Sequence, residues 1–439
     1  MTSCNPSQLR DQVTKAVFAE PIWDLHTHLY PPTFGTPDGG KSGQADPRGL
    51  MLWGIDELLT YHYLVAEVFR VVPSRVLSYA DFWKMTKREQ ADHIWRHLFL
   101  ERSPLSEACR GVLTTLERLG LDPGDRDLAG YRKWFAQQDP SGQIDLVMER
   151  AGISRITMTN AVFDDNERER WLADPQVASD PRFAAVLRFD PILCDWAGAA
   201  QKLSEWGYPA SATIDQQTID SGRKFLADWI DRMGAIYCAV SLPPSFRYEG
   251  PDDQRAECVA FREIVLPVLK ERDLPMAMMI GATRGANPAL GDAGDTLGKS
   301  DVTSVLRLCA DFPDNRFLCT MLSRENQHEL AVAARKFGNL LLFGCWWFLN
   351  NPSLIEEITR MRMELLGPTF IPQHSDARIL EQLLYKWHHS REIIARVLGD
   401  KYADIAATGW RVSEEEISRD VRMVLHGNFR EFLGAAASK

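Results

Sequence analysis

The sequence predicts an α/β fold, a closed (β/α)8 barrel of the TIM type, with a helical insertion between its first and second strands. Three observations carry this. After Ile144, short β-type runs alternate with amphipathic helical stretches, the pattern of βα units on a parallel sheet. Together with an early run at Pro21–His26 the β-type runs number eight, the count of a closed barrel. No G-x-G-x-x-G or G-x-x-x-x-G-K-[ST] follows any of them, so the competing doubly wound open sheet lacks its usual nucleotide signals.

Taken in order, the first strand is the apolar run ending at His26. From Leu50 to Gln138 the chain is helix-patterned and rich in aromatic and charged residues, as in DELLTYHYLVAEVFRVV, and the insertion is placed at about 41–141 of a single barrel spanning 1–439. The remaining strands are read at Ser154–Asn160, Phe183–Phe189, Ala235–Leu242, Pro275–Ile280, Phe317–Leu322, Asn339–Cys345 and Phe370–Ser375. Helices are expected over Gln254–Arg272, Asp301–Ala310, Glu325–Phe337, Pro352–Leu366 and Ala377–His389, with a terminal helix over Ser413–Leu433. The loop GATRGANPALGDAGD after the fifth strand lacks phosphate-loop spacing and reads as an active-site loop.

Composition bounds the function. With 439 residues, 45% hydrophobic and 25% charged, the chain can bury a large core. A net charge of -10 without any basic run removes the electrostatic basis for nucleic-acid or anionic-membrane binding, which leaves a small molecule as the expected partner. The eight cysteines are scattered without a CxxC and read as reduced core residues of a cytoplasmic protein. The N-terminus has no apolar core of a signal peptide, and no stretch of about 18 apolar residues follows.

The chemistry begins at Pro21–Tyr30, PIWDLHTHLY. In a strand, His26 and His28 point to one face, and two imidazoles so placed need only one or two further ligands, often a carboxylate, to bind a divalent metal such as Zn²⁺. Barrel closure makes the eighth strand the neighbour of the first. That strand ends in Gln373-His374-Ser375-Asp376-Ala377-Arg378, so Asp376 is the natural third ligand; its bland reading is an N-cap of the helix that follows. One divalent ion held by His26, His28 and Asp376 is therefore expected.

Several motifs in this order resemble the uronate isomerases, the sugar-acid branch of the amidohydrolase superfamily. Asp24-Leu25-His26-Thr27-His28-Leu29 is similar to the family's first-strand metal motif, and Ser375-Asp376-Ala377-Arg378 to its eighth-strand Asp-Ser-Arg. Tyr61-His62-Tyr63 resembles an Asp-His-Tyr segment, Trp95-Arg96-His97-Leu98 a Trp-Thr-His-Leu segment and Arg188-Phe189-Asp190 an Arg-Pro-Asp segment. Ile280-Gly281-Ala282-Thr283-Arg284 and Gly344-Cys345-Trp346-Trp347-Phe348 also fit. Two departures stand out: Met279 occupies the place of a family histidine, and Ser241-Leu242-Pro243 that of Ser-Asp-His.

The resemblance implies aldose–ketose isomerisation of a sugar acid, which needs proton transfer, a donor for the developing oxyanion and a clamp for the carboxylate. Asp376, His62 and Tyr63 are then the candidate catalytic groups. Arg378 and Arg188 are the clamp, a guanidinium being able to grip a carboxylate with a bidentate fork. His97 and Trp346 complete the candidate substrate site. The bland alternatives are a local pair of Arg188 with Asp190, packing for Tyr63, and helix-surface or core roles for His93, His97, His388 and His389. Two other functions remain open: a metal-dependent hydrolase or lactonase in which Asp376 takes a proton from metal-bound water, and a sugar-acid binder without turnover. Beyond a sugar acid, a second copy of the chain in a homo-oligomer is the other partner considered.

Overall fold

All six residues of β1 (Ile22–Thr27) are buried, as expected of a strand covered on both faces. The structure is a computed structural model and describes residues 6–37, 39 and 44–438. β1 pairs in parallel with β2 (Ile153–Ala161), followed by β3 (Phe183–Arg188), β4 (Cys238–Leu242) and β5 (Met276–Ile280). A two-residue hairpin, β6 (Ala282–Thr283) with β7 (Thr296–Leu297), interrupts the series before β8 (Phe317–Met321) and β9 (Leu340–Leu342) continue the parallel sheet. Seven strands in sequence order, joined by helical crossovers, form most of a barrel wall.

The eighth position is filled by a segment too irregular to be a full strand. Ile371 bridges Phe343: its N–H donates to Leu342 O (2.9 Å) and its carbonyl accepts from Gly344 N (2.8 Å). Pro372 then has no N–H to offer, which breaks the ladder. The Gln373 side chain substitutes, its Oε1 accepting from Cys345 N (3.0 Å) and His374 N (3.1 Å). On the other flank Asp376 N donates to His26 O (3.1 Å) and His28 N to Ala377 O (2.7 Å), so the ring of backbone contacts returns to β1.

Between β1 and β2 the described chain forms helices Ile55–Leu59, His62–Val71, Tyr79–Lys84, Lys87–Trp95, Glu107–Arg118, Leu128–Phe135 and Pro140–Ala151. Side-chain caps start several of them, with Ser78, Ser106 and Asp139 accepting from the first turn and a full capping box at Thr86 and Glu89. The start of the insertion expected near Lys41 lies outside the described residues, and the end expected near Ser141 falls inside the last helix.

Three elements differ from expectation. The final barrel helix begins at Gln382, not Ala377, and runs to Ala407. The residues before it are used otherwise: Ile379 bridges Leu52 of the inserted segment, and Leu380 N donates to Leu52 O (3.0 Å). The helix expected over Gln254–Arg272 contains a π-turn at Phe261–Val265, just ahead of Pro267, whose missing N–H a regular ladder would leave unfilled. A helix over Pro6–Ala19, which the sequence reading did not identify, packs along Gln382–Ala407.

Among the described cysteines six are buried and form no disulfide, but Cys194 is exposed, so the core reading fails there; Cys4 lies outside the described residues. No described helix is long and apolar enough to cross a membrane.

Gly344 and Gly234 both have left-handed φ (66° and 59°). A Cβ on Gly234 would meet nothing within 4 Å, whereas one on Gly344 would lie 1.7 Å from His374 Nδ1. Gly234→Ala should therefore cost only the backbone strain, about 1–2 kcal/mol. Gly344→Ala should cost about 1–3 kcal/mol more, because the buried imidazole has to move. Urea denaturation of the two variants measures the difference; equal midpoints would show that His374 yields freely.

Candidate active site

Asp24, His26 and His28 alternate along β1 and its C-terminal extension, so they share a face. Asp24 is wholly buried: its Oδ1 accepts from Ser375 N (3.2 Å) and His26 N (3.5 Å), and its Oδ2 from Trp387 Nε1 (2.7 Å). Burial pushes its pKa up against these hydrogen bonds. The contacts bind the first strand to the eighth segment and to the helix behind it.

Asp376 follows at once, in the left-handed region at φ 50°, a conformation aspartate tolerates better than most residues. Behind it the buried Lys386 donates to Ser375 O (2.6 Å) and lies 3.5 Å from Asp376 O. Burial brings the Lys386 pKa down to about 8, opposed by the Asp376 and Asp24 carboxylates.

His26 Nε2 and His28 Nε2 stand 3.5 and 3.4 Å from Asp376 Oδ1, and the three donor atoms all lie within 4.8 Å of one another. Ligands at about 2.0–2.2 Å from a tetrahedral ion sit about 3.3–3.6 Å apart, so the group could hold a metal. Two further features fit. Both ring nitrogens of His26 are buried without a hydrogen-bond partner, a cost that coordination would remove. Thr159 gives its hydroxyl proton to Thr27 O (2.7 Å) and faces His28 Nδ1 at 3.3 Å, so it can accept from Nδ1–H and leave the Nε2 lone pair for a ligand. Burial lowers the His28 pKa to about 4 although the Asp376 carboxylate raises it. The Asp376 carboxyl is raised by burial, but the two imidazoles outweigh that and hold it well below the usual range.

The cavity over this group is lined by Tyr61, His62, Arg188, Ser241, Met279, Arg284, Asp292, Trp346, Trp347 and Arg378 as well as the three donors. Each arginine of the rim already has an acid. Arg188 forks onto Asp190 (Nε at 3.0 Å from both oxygens, Nη2 at 2.5 Å), Arg378 Nη1 meets Asp292 (2.9 Å), and Arg284 pairs with Asp295. His62 Nε2 is buried without a partner. Burial and then the Arg378 charge push its pKa down to about 3, so at neutral pH the ring is uncharged. Burial, with the Asp376 charge adding, pushes the Tyr61 phenol up, so it stays protonated.

Of the residues singled out in the sequence, His26, His28, Asp376, His62, Arg188, Arg378 and Trp346 meet at this cavity. Tyr63 and His97 do not line it. Tyr63 packs edge-on against Tyr61 (ring centroids 4.9 Å apart), and Tyr61, the N-cap residue, lines the cavity instead. His97 is taken up by Glu101 one turn on (2.7 Å) and packs on His93. His389 joins Glu107 and Thr114 at a helix interface, and His388 lies 3.5 Å from Glu392. Trp347, read from the sequence with Trp346 as a wall of the pocket, lines the cavity; Arg284 and Asp292 were not singled out as site residues, although both lie in the 281–295 loop read as an active-site loop.

No protein-family model matches the chain, and no curated protein matches it. Solved structures do. A uronate isomerase from Bacillus halodurans is 50% identical over 99% of this chain and 98% of that one, with a TM-score of 0.91. The chain belongs to the uronate isomerase family. A uronate isomerase from Thermotoga maritima (15% identity, 97% of each chain, TM-score 0.75) and a glucuronate isomerase from Caulobacter crescentus (16%, 99% of this chain and 95% of that one, 0.71) share the fold. The two sequence departures of this uronate isomerase family member fall on neighbouring strands: β4 pairs with β5, Ser241 opposite Met279 and Leu242 opposite Ile280, and Met279 lines the cavity whereas Leu242 and Pro243 are not among its lining residues.

The depressed His62 pKa makes the fold around the site acid-sensitive. An unfolded histidine takes up a proton near pH 6.5, whereas folded His62 resists until about 3, so its contribution to stability is lost as pH falls through that window. His62→Gln should lose less stability between pH 6.5 and 4 than the parent, measured as the melting temperature of metal-free protein against pH. Parallel curves would mean that His62 is not the buried neutral base described.

Proposed function

We propose that this chain interconverts a uronate and its keto form, with His26, His28 and Asp376 holding one divalent metal ion. What carries the reading is that a two-imidazole, one-carboxylate group and three guanidiniums face one cavity in a member of this family. Two histidines and a carboxylate with a position left open favour Zn²⁺, which would polarise a substrate oxygen as a Lewis acid.

The chain's own groups divide the remaining work. His62, uncharged at neutral pH, is in the form that accepts a proton, so it is placed to take one from the carbon next to the carbonyl and return one to its neighbour. Tyr61, kept protonated, donates a hydrogen bond to the oxygen on which charge develops in the enediol. Asp376, ionised, takes the proton of the hydroxyl that becomes the keto group and passes it to the former carbonyl oxygen, which becomes a hydroxyl and returns Asp376 to its ionised form. Arg378, with Arg188 beside it, binds the carboxylate, and Trp346 and Trp347 offer ring faces to the sugar. These assignments replace Tyr63 by Tyr61 and leave His97 out. Ser241 and Met279 bring no ionisable group to the ends of β4 and β5, so proton transfer falls on the β1 and insertion side of the cavity.

Incubation of metal-replete protein with a panel of uronates and sugar lactones should yield ketose from a uronate; ring-opened acid from a lactone without ketose would favour the hydrolase. Protein purified without chelator should carry about one equivalent of metal, as a three-ligand site implies. The His26→Ala, His28→Ala double variant should carry almost none, by elemental analysis.

The Arg378 side chain is 45% exposed, so its contribution is that of a partly solvated fork. Arg378→Lys should lower kcat/KM for the uronate about tenfold, a loss within the range for hydrogen bonds to charged groups. The neutral aldose analogue should be affected much less. An unchanged ratio between the two substrates would refute carboxylate recognition by Arg378.

A further inference from the structure

A further imidazole is packed against the three donors. His374 is wholly enclosed, and its ring stands edge-to-face with that of His26, the centroids 5.3 Å apart and the planes at 83°. Phe343 packs on it at 5.2 Å. Neither ring nitrogen of His374 has a hydrogen-bond partner, and burial keeps the ring neutral. It does not line the cavity, so it reaches neither a sugar nor the rim arginines.

Burying an imidazole without partners costs stability, yet the surroundings hold this one in place. Its own backbone is pinned by Gln373 Oε1, which accepts from His374 N (3.1 Å) and Cys345 N (3.0 Å). Gly344 makes room for it, since a Cβ there would lie 1.7 Å from His374 Nδ1. Gly344 in turn is held by Arg362, whose Nη1 donates to Gly344 O (2.8 Å) and whose Nη2 donates to Gln327 Oε1 (2.7 Å). Arg362 is itself fully buried and pairs with no carboxylate among the described residues. A cation buried without a counter-ion is a second expense at the same place. Two such costs converging behind one metal-site histidine point to a function there.

A histidine that gives its Nε2 lone pair to a metal carries its proton on Nδ1, and metal-bound histidines nearly always pass that N–H to an acceptor. For His28 the acceptor is at hand, Thr159 Oγ1 at 3.3 Å from Nδ1. His26 Nδ1 has none. We propose that His374 fills this role: its bare nitrogen accepts from His26 Nδ1–H, directly or across one water, and so fixes the tautomer and plane in which His26 Nε2 faces the metal. This rests on the reading of His26, His28 and Asp376 as metal ligands. His374 is then a positioning residue, acting on the ion through His26, and Gly344 and Arg362 are the frame that keeps it there.

The test uses the full chain, stripped of metal and reloaded with Zn²⁺, and its His374→Phe variant, which keeps a ring for packing and lacks the nitrogens. The Zn²⁺ dissociation constant, read by competition with a chromophoric chelator, should rise about 10–100-fold, the usual loss when a partner behind a ligand is removed. The melting temperature of the metal-free variant should not fall, because two orphaned polar atoms give way to an apolar ring. Unchanged affinity with a lower melting temperature would show a packing role and overturn the proposal. A second reading needs no variant and decides the matter if His374→Phe folds poorly or loses both affinity and stability. In the parent, isotopically labelled at its histidines, Zn²⁺ should shift one His374 nitrogen as it becomes an acceptor. His374 signals that ignore the metal would overturn the proposal. A parent that takes up no Zn²⁺ would sink the metal reading itself; a parent that binds it no better than His374→Phe would sink the role of His374 alone.

Discussion

A single buried carboxylate ties the site to the fold. Asp24 accepts from the first strand, from the eighth segment and from the indole of the helix behind it, and is wholly buried. Leaving any one of these donors unpaired in the interior costs about 1–3 kcal/mol, so the three hold each other in register. The eighth segment needs such a tie because Pro372 breaks its ladder and only short runs of backbone bonds remain on either flank. Asp24 is thus what brings Asp376 to the two histidines, rather than a metal ligand itself.

The second constraint is local. Asp376 adopts a left-handed backbone, which aims its carboxylate across to β1 and would relax without support. Support comes from Lys386, whose ammonium meets the carbonyls of Ser375 and Asp376, and from the bonds of Asp376 N and His28 N across the closure. The result is a group of donors spaced for a metal, with imidazole nitrogens that no protein group satisfies at His26. His374, packed 5.3 Å from His26 and also without a partner, leaves no room for a side chain at Gly344.

Electrostatics at the mouth follow a different rule. Three guanidiniums converge there, and each is neutralised by an aspartate of the chain. The cavity therefore combines strong directional donors with little net charge.

Much of this was legible in the sequence, for reasons that concern periodicity. Strand alternation placed His26 and His28 on one face, the βα rhythm after Ile144 counted out the barrel, and circular closure made Asp376 their neighbour; each depends only on backbone geometry that every strand shares. The eighth strand and the start of the last helix were misjudged because a missing N–H at Pro372 and a pairing of Ile379 with Leu52, hundreds of residues away, override local pattern. Tyr61 rather than Tyr63 lines the cavity because the helix starts at His62, a boundary that propensity does not resolve to one residue. His97 was lost to Glu101, an i,i+4 neighbour that was visible in the sequence but weighed less than the family pattern. Asp292 and Arg284 lie in the loop the sequence read as an active-site loop, but which of its side chains reach the cavity was not legible there. Their position is set by a hairpin that folds a loop back over the mouth, and the meeting of Asp292 with Arg378, like that of Asp24 with Trp387, exists only once the ring of strands has closed.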